Sequence, residues 1–128
     1  MSRSSPICLR ILEGRFAVCQ LAPDEEVPSG LDPTTFLSTT RTATELSIVC
    51  REKPDLPGNV EAGWRCLMVD GTLEFEQVGI LASLAQPLAE AGVSIFVVST
   101  YDTDYLLVKE EQLESALESL QNAGHILL

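Results

Sequence analysis

The sequence predicts an α+β fold. Its second half reads as a ferredoxin-like βαββαβ sandwich, and its first half as a copy of the same unit whose helices have shrunk to loops. Three observations predict this. Two segments of the second half repeat apolar residues at helical spacing. With the short apolar runs around them they give the order β-α-β-β-α-β, the split-βαβ arrangement. The two halves also echo each other in sequence. The order implies an antiparallel sheet with both helices on one face.

The elements follow in turn. Residues 8–12 and 16–21 are apolar runs around Glu13-Gly14-Arg15, expected as one bent strand or a hairpin. Residues 22–35 contain Pro23, Pro28, Gly30 and Pro33 and read as loop, with at most one helical turn. Residues 36–40 and 45–50 form a second strand pair. Pro54, Pro57, Gly58 and Asn59 form a linker, and 64–69 is a strand ended by Asp70-Gly71. Residues 77–91 set Leu81, Leu84, Ala85 and Leu88 on one helical face, with Gly92 as the C-terminal cap. Pro87 has no N–H to give the Ser83 carbonyl, so a kink or early end is expected there. Residues 93–99 and 105–108 are strands. Residues 110–123 place Leu113, Ala116, Leu117 and Leu120 on one stripe; Glu110 and Glu111 suit the helix dipole and Gly124 stops the helix. Residues 125–128 complete the unit as a short strand.

The internal echo has two parts. Ile11-Leu12-Glu13-Gly14 resembles Met68-Val69-Asp70-Gly71. The stretch from Thr40 to Glu52 resembles that from Ser99 to Glu111, with Thr44, Val49 and Glu52 matching Thr103, Val108 and Glu111. The expected division is 1–60, mostly strands and loops, and 61–128, the well-formed unit.

Bulk properties exclude several functions. The chain has 128 residues, 45% of them hydrophobic, too many for a disordered segment. Nineteen acids against eight bases give a net charge of −11, which opposes binding to nucleic acid and to anionic lipid. No apolar run reaches the roughly 18 residues that a membrane span needs. Polar Glu13-Gly14-Arg15 follows too soon for a signal peptide, so a cytoplasmic location is expected. Cys8, Cys19, Cys50 and Cys66 form no CxxC pair and sit in apolar runs, which predicts buried reduced thiols and no metal site. No phosphate-loop or dinucleotide motif occurs. His125 is the single histidine and has no nucleophile near it in sequence. The expectation is therefore no catalysis and no cofactor.

One constellation invites a ligand. The first helix of the second unit begins near Phe75-Glu76-Gln77-Val78-Gly79-Ile80, where free backbone N–H groups favour a carboxylate. Gly79 lets a ligand approach the backbone. The strand ending at Ser99-Thr100 brings Thr100, Tyr101, Asp102 and Asp104 toward the same edge, with acids for an ammonium. A free amino acid presents that pair of charges. The same residues also fit plainer roles: Gly79 for close helix–sheet packing, Asp102 and Asp104 as solvated turn residues.

Gly63-Trp64-Arg65-Cys66-Leu67, Val78 to Leu84, Pro87-Leu88-Ala89, Val93 to Phe96 and Ser99 to Val108 resemble small tandem ACT-domain proteins, the family that includes the animal cytosolic arginine sensor of the TOR pathway. The likeness is dense from Gly63 to Leu120 and thinner before it. It implies a non-enzymatic regulatory module that binds a free amino acid at an interface between ACT units. It assigns a first set of contacts, Gln77, Gly79, Ile80, Thr100, Tyr101 and Asp104, and a second set, Ser94 and Ile95, from a paired unit. A homodimer is then required to surround one ligand. Gln77 stands where the sensor has an acid, so one countercharge for an arginine side chain is missing. The alternative is an ACT-fold interaction or assembly module that has lost its ligand and docks a partner enzyme or signalling protein.

Overall fold

A computed structural model describes residues 6–70 and 79–128. In chain order the elements are β1 (Cys8–Ile11), β2 (Phe16–Leu21), β3 (Ser38–Arg41), β4 (Leu46–Arg51), β5 (Asn59–Val69), α1 (Ile80–Glu90), β6 (Ile95–Ser99), β7 (Asp104–Lys109), α2 (Leu113–Asn122) and β8 (Ile126–Leu127), with a 3-10 turn Glu110–Gln112 leading into α2. They form two compact units, Glu13–Trp64 and a discontinuous one made of Met1–Leu12 and Arg65–Leu128. By compactness β1 joins the later residues, where the sequence expectation of 1–60 and 61–128 groups it with the earlier ones.

In the unit Glu13–Trp64 the strand order is β3-β4-β2-β5. All neighbours are antiparallel, from Phe16↔Arg51 to Leu21↔Leu46 and from Ser38↔Val49 to Arg41↔Leu46. Alternation along β2 and β4 sends Ala17, Cys19, Leu21, Leu46, Ile48 and Cys50 to one buried face. No α-helix covers that face among the described residues. Leu31, Leu37 and Leu56, carried by the proline-containing loops, pack against it instead. The expectation of a loop over 22–35 is met, and the strands start later than expected, at Ser38 and Leu46.

The discontinuous unit has the order β6-β7-β5-β1-β8. Strands β5, β6, β7 and β8 alone would give the split-βαβ order. Here β1 is wedged between β5 and β8, antiparallel to β5 (Leu9↔Val69) and parallel to β8 (Cys8↔Ile126). Leu9, wholly buried, is the reason: it joins Leu67, Val69, Leu84, Leu88, Leu106, Val108, Ala116 and Leu120 in the core under the helices. Each such leucine contributes about 1.5–3 kcal/mol by its burial.

Both helices carry the expected stripes, Leu84 and Leu88 buried on α1, Ala116 and Leu120 on α2. The segment 71–78, into which the first helix is expected to extend, lies outside the described residues. Both helices end alike. Gly124 takes a left-handed φ of 97°, and the next N–H, that of His125, returns to the Leu120 carbonyl at 3.0 Å. Gly92 and Val93 do the same on α1, with 2.9 Å to Leu88. Only a residue without a Cβ adopts this turn readily, so each glycine marks its helix end.

Candidate functional site

The site expected from sequence lies within the discontinuous unit. Strand β6 and strand β7 pair from Ile95↔Val108 to Ser99↔Asp104, and the chain turns through Thr100–Thr103. Thr100 builds this turn. Its N–H donates to the Thr103 carbonyl at 2.8 Å, and its hydroxyl donates to that carbonyl and accepts the Thr103 N–H. The buried Thr103 hydroxyl donates to the Val69 carbonyl at 2.7 Å and ties the turn to the last residue of β5. Thr103 is a site-building residue that the sequence expectation does not include; its alternation with Asp102 and Asp104 is the available signal.

The first turn of α1 reaches the same end of the unit. The Asp70 N–H donates to the Cys8 carbonyl beside the end of β5. Next to Cys8, the Ile7 N–H donates to Nδ1 of His125, whose Nε2 lies 3.2 Å from the Ser83 carbonyl oxygen. Gly79, Ile80, Thr100, Tyr101 and Asp104 are therefore gathered at one end. Gln77 lies outside the described residues. Ser94 and Ile95 stand at the other end of β6, away from the first set.

The individual residues divide the roles. Gly79 is the N-cap of α1 with φ 83°, and none of the described residues lies within 4 Å of where a Cβ would stand. Backbone conformation, not crowding by the described residues, requires glycine there. Ile80 packs on the core. Tyr101 is fully exposed at the turn. Asp104 is half-buried, and its carboxylate has no hydrogen bond or ion pair among the described residues. Burial, Cys66 and the Asp102 carboxylate push the Tyr105 hydroxyl above its usual range. At the other end, the Ser94 N–H is already donated to Oε1 of Gln112 at 3.3 Å, while Nε2 of Gln112 donates to the Gly92 carbonyl. Ile95 turns its side chain to its own core. Those two residues thus offer a hydroxyl and strand backbone rather than free amide donors or an apolar side chain.

The four thiols are free; Cys19, Cys50 and Cys66 are buried. Burial pushes Cys66 up to about 12 and Cys50 up to about 11 and raises Cys19, so these groups stay protonated and unreactive. No group of three or more His, Cys, Asp or Glu that could hold a metal occurs among the described residues. No helix among them is long and apolar enough to cross a membrane.

Known proteins resemble the chain over this region. A family model described as ACT domain matches residues 59–122. A second family model, of an N-terminal domain, matches residues 14–57. The human cytosolic arginine sensor for mTORC1 subunit 1 is 41% identical over 59 residues, 45% of this chain and 18% of that relative, so the chain spans less than a fifth of its length. A crystal structure of a protein from Agrobacterium tumefaciens is 42% identical, with a TM-score of 0.88 over 98% of this chain and 94% of that one. The aspartate kinase of Clostridium acetobutylicum shares the fold, with a TM-score of 0.69 at 14% identity over 94% of this chain and 35% of the kinase. The family model spans half of the chain, residues 59–122, and on that match the chain belongs to the ACT-domain family.

Proposed function

We propose that this chain is a non-enzymatic, cytoplasmic regulatory module that binds a free amino acid between ACT units. The helix start at Gly79–Ile80 would receive the ligand carboxylate through backbone N–H groups. Asp104 would receive the ammonium or a cationic side chain. Gln77, Thr100 and Tyr101 would complete this set, and Ser94 and Ile95 of a second copy would close the site from the far side. A homodimer of chains, each with two fused ACT-like units, follows from that arrangement.

The observation that carries the reading is a half-buried Asp104 without a partner among the described residues, at the end of the unit that also holds the start of α1 and the Thr100–Thr103 turn. Sequence kinship with a protein named as an arginine sensor supports the ligand class. Thermal unfolding against each free amino acid at millimolar concentration tests it. A ligand at about 100 times its dissociation constant adds roughly 2.7 kcal/mol, a rise of several degrees. Asp104→Ala should abolish the rise and leave the unliganded midpoint within about 1 kcal/mol of wild type. An unchanged rise in that variant removes Asp104 from the site.

A second reading has its own support. Tyr101 is fully exposed, β6 pairs with β7 alone among the described strands, and the Ser94 amide is occupied within the chain. An assembly module docking a partner enzyme or signalling protein would use that edge. A single stoichiometric partner recovered whether or not amino acids are added would favour it.

A further inference from the structure

Pro87 lies inside α1, where a helix interior normally rejects proline. It leaves the Ser83 carbonyl without its helical donor, in the first turn after Gly79. An orphaned carbonyl at a largely covered position is costly unless another donor reaches it. His125 is that donor. Its Nδ1 accepts the Ile7 N–H at 3.1 Å, so the ring proton resides on Nε2, which faces the Ser83 oxygen at 3.2 Å. The ring is 7% exposed, and Gly124 aims it through the turn that closes α2. One imidazole thus joins the start of β1, the first turn of α1 and the exit of α2.

We propose that His125 is a positioning residue: it replaces the helix hydrogen bond that Pro87 removes, and so fixes the turn of α1 that presents Gly79 and Ile80. The site it serves is the one of the amino-acid reading above, on which that last clause rests. The Ser83 side chain does not do this work, because its hydroxyl donates to the Ile80 carbonyl at 2.8 Å.

A double-mutant cycle on the full chain tests the pairing. Urea unfolding is measured for wild type, Pro87→Ala, His125→Phe and the double variant. Alanine restores an N–H to the Ser83 carbonyl, so losing His125 should then matter less. His125→Phe is expected to raise the unfolding equilibrium constant at least tenfold with Pro87 present, and by a factor at least fivefold smaller in the Pro87→Ala background. Equal factors in the two backgrounds overturn the proposal. Should His125→Phe not fold, His125→Gln is used, with amide exchange as the readout. The amides of Ser83 and Leu84, the first ones bonded within α1, should then exchange at least tenfold faster while those of α2 do not, and Pro87→Ala should reverse the change. Uniform acceleration overturns the proposal. An absent amino-acid response in wild type would count against the functional reading alone, because the cycle needs no ligand.

Discussion

The two units solve one problem in two ways. Each has a sheet with an apolar face that must be covered. In the discontinuous unit two helices cover it with leucines that are fully excluded from water, such as Leu84, Leu88 and Leu120. In the unit Glu13–Trp64 the sheet presents Ala17, Cys19, Leu21, Leu46, Ile48 and Cys50, and the cover is Leu31, Leu37 and Leu56 hung from loops. A loop brings side chains to a sheet one at a time, where a helix brings a whole stripe. A sheet of this strand order can therefore be covered without helices, provided a few leucines stand at the right points of the loops.

Three measurements would break or sharpen that contrast. The largest effect is expected from Leu88→Ala, which should cost about 2–5 kcal/mol in urea unfolding, while half-buried Leu31→Ala should cost about 1 kcal/mol. Equal costs would mean the loop cover is as tightly packed as the helical one. Alkaline pH should come next. Thiols in the unfolded chain titrate near 9, whereas folded Cys66 holds its proton to about 12 and Cys50 to about 11. Stability is then fully present below pH 9 and lost as pH rises through those folded values, by up to about 1.4 kcal/mol per pH unit for each thiol. Cys66→Ala should flatten the loss over a wider range than Cys50→Ala, read from urea midpoints between pH 8 and 12, where only Cys66 still contributes above pH 11.

The smallest effect separates the two hairpins. Thr42 and Thr100 occupy the same place in each turn: the N–H of Thr42 bonds the Glu45 carbonyl as that of Thr100 bonds the Thr103 carbonyl. Only the turn of β6 and β7 adds a buried anchor, from Thr103 to Val69. Thr103→Val should therefore cost about 1–2 kcal/mol, and Thr42→Ala, in an exposed turn, about 0.5 kcal/mol in the same denaturant titration.

Much of this was readable in the sequence. The helical stripes and the two terminal glycines are local signals, and the structure places α1 and α2 where they point. The turn at Thr100–Thr103 was legible as a turn for the same reason. Long-range pairing was not. Nothing near Cys8–Ile11 says that this strand inserts between β5 and β8, because that choice depends on Leu9 finding a core made by residues far along the chain. The internal echo was one residue out of register. Identities aligned Thr44 with Thr103, while the turn hydrogen bonds align Thr42 with Thr100, because backbone pairing and not side-chain identity sets hairpin register. Pro87 was legible as a fault in a helix; that His125 repairs it was not, since the repair crosses from one helix end to another. Of the candidate site, Asp104 and Gly79 were proposed from residue type, and the engagement of the Ser94 amide by Gln112 was hidden because it depends on a rotamer.

The insertion of Glu13–Trp64 between β1 and the rest of its unit also dictates an order of events as the chain leaves the ribosome. The inserted unit has all its strands once residue 64 has emerged and can close early. The surrounding unit cannot: β8 pairs with β1, and the Leu128 N–H bonds the Leu9 carbonyl, so its final ladder joins residues more than a hundred positions apart. Contacts so distant in sequence form slowly. During synthesis β1 must wait with one of its two edges unpaired, and the part of the molecule with the larger core is the last to become whole.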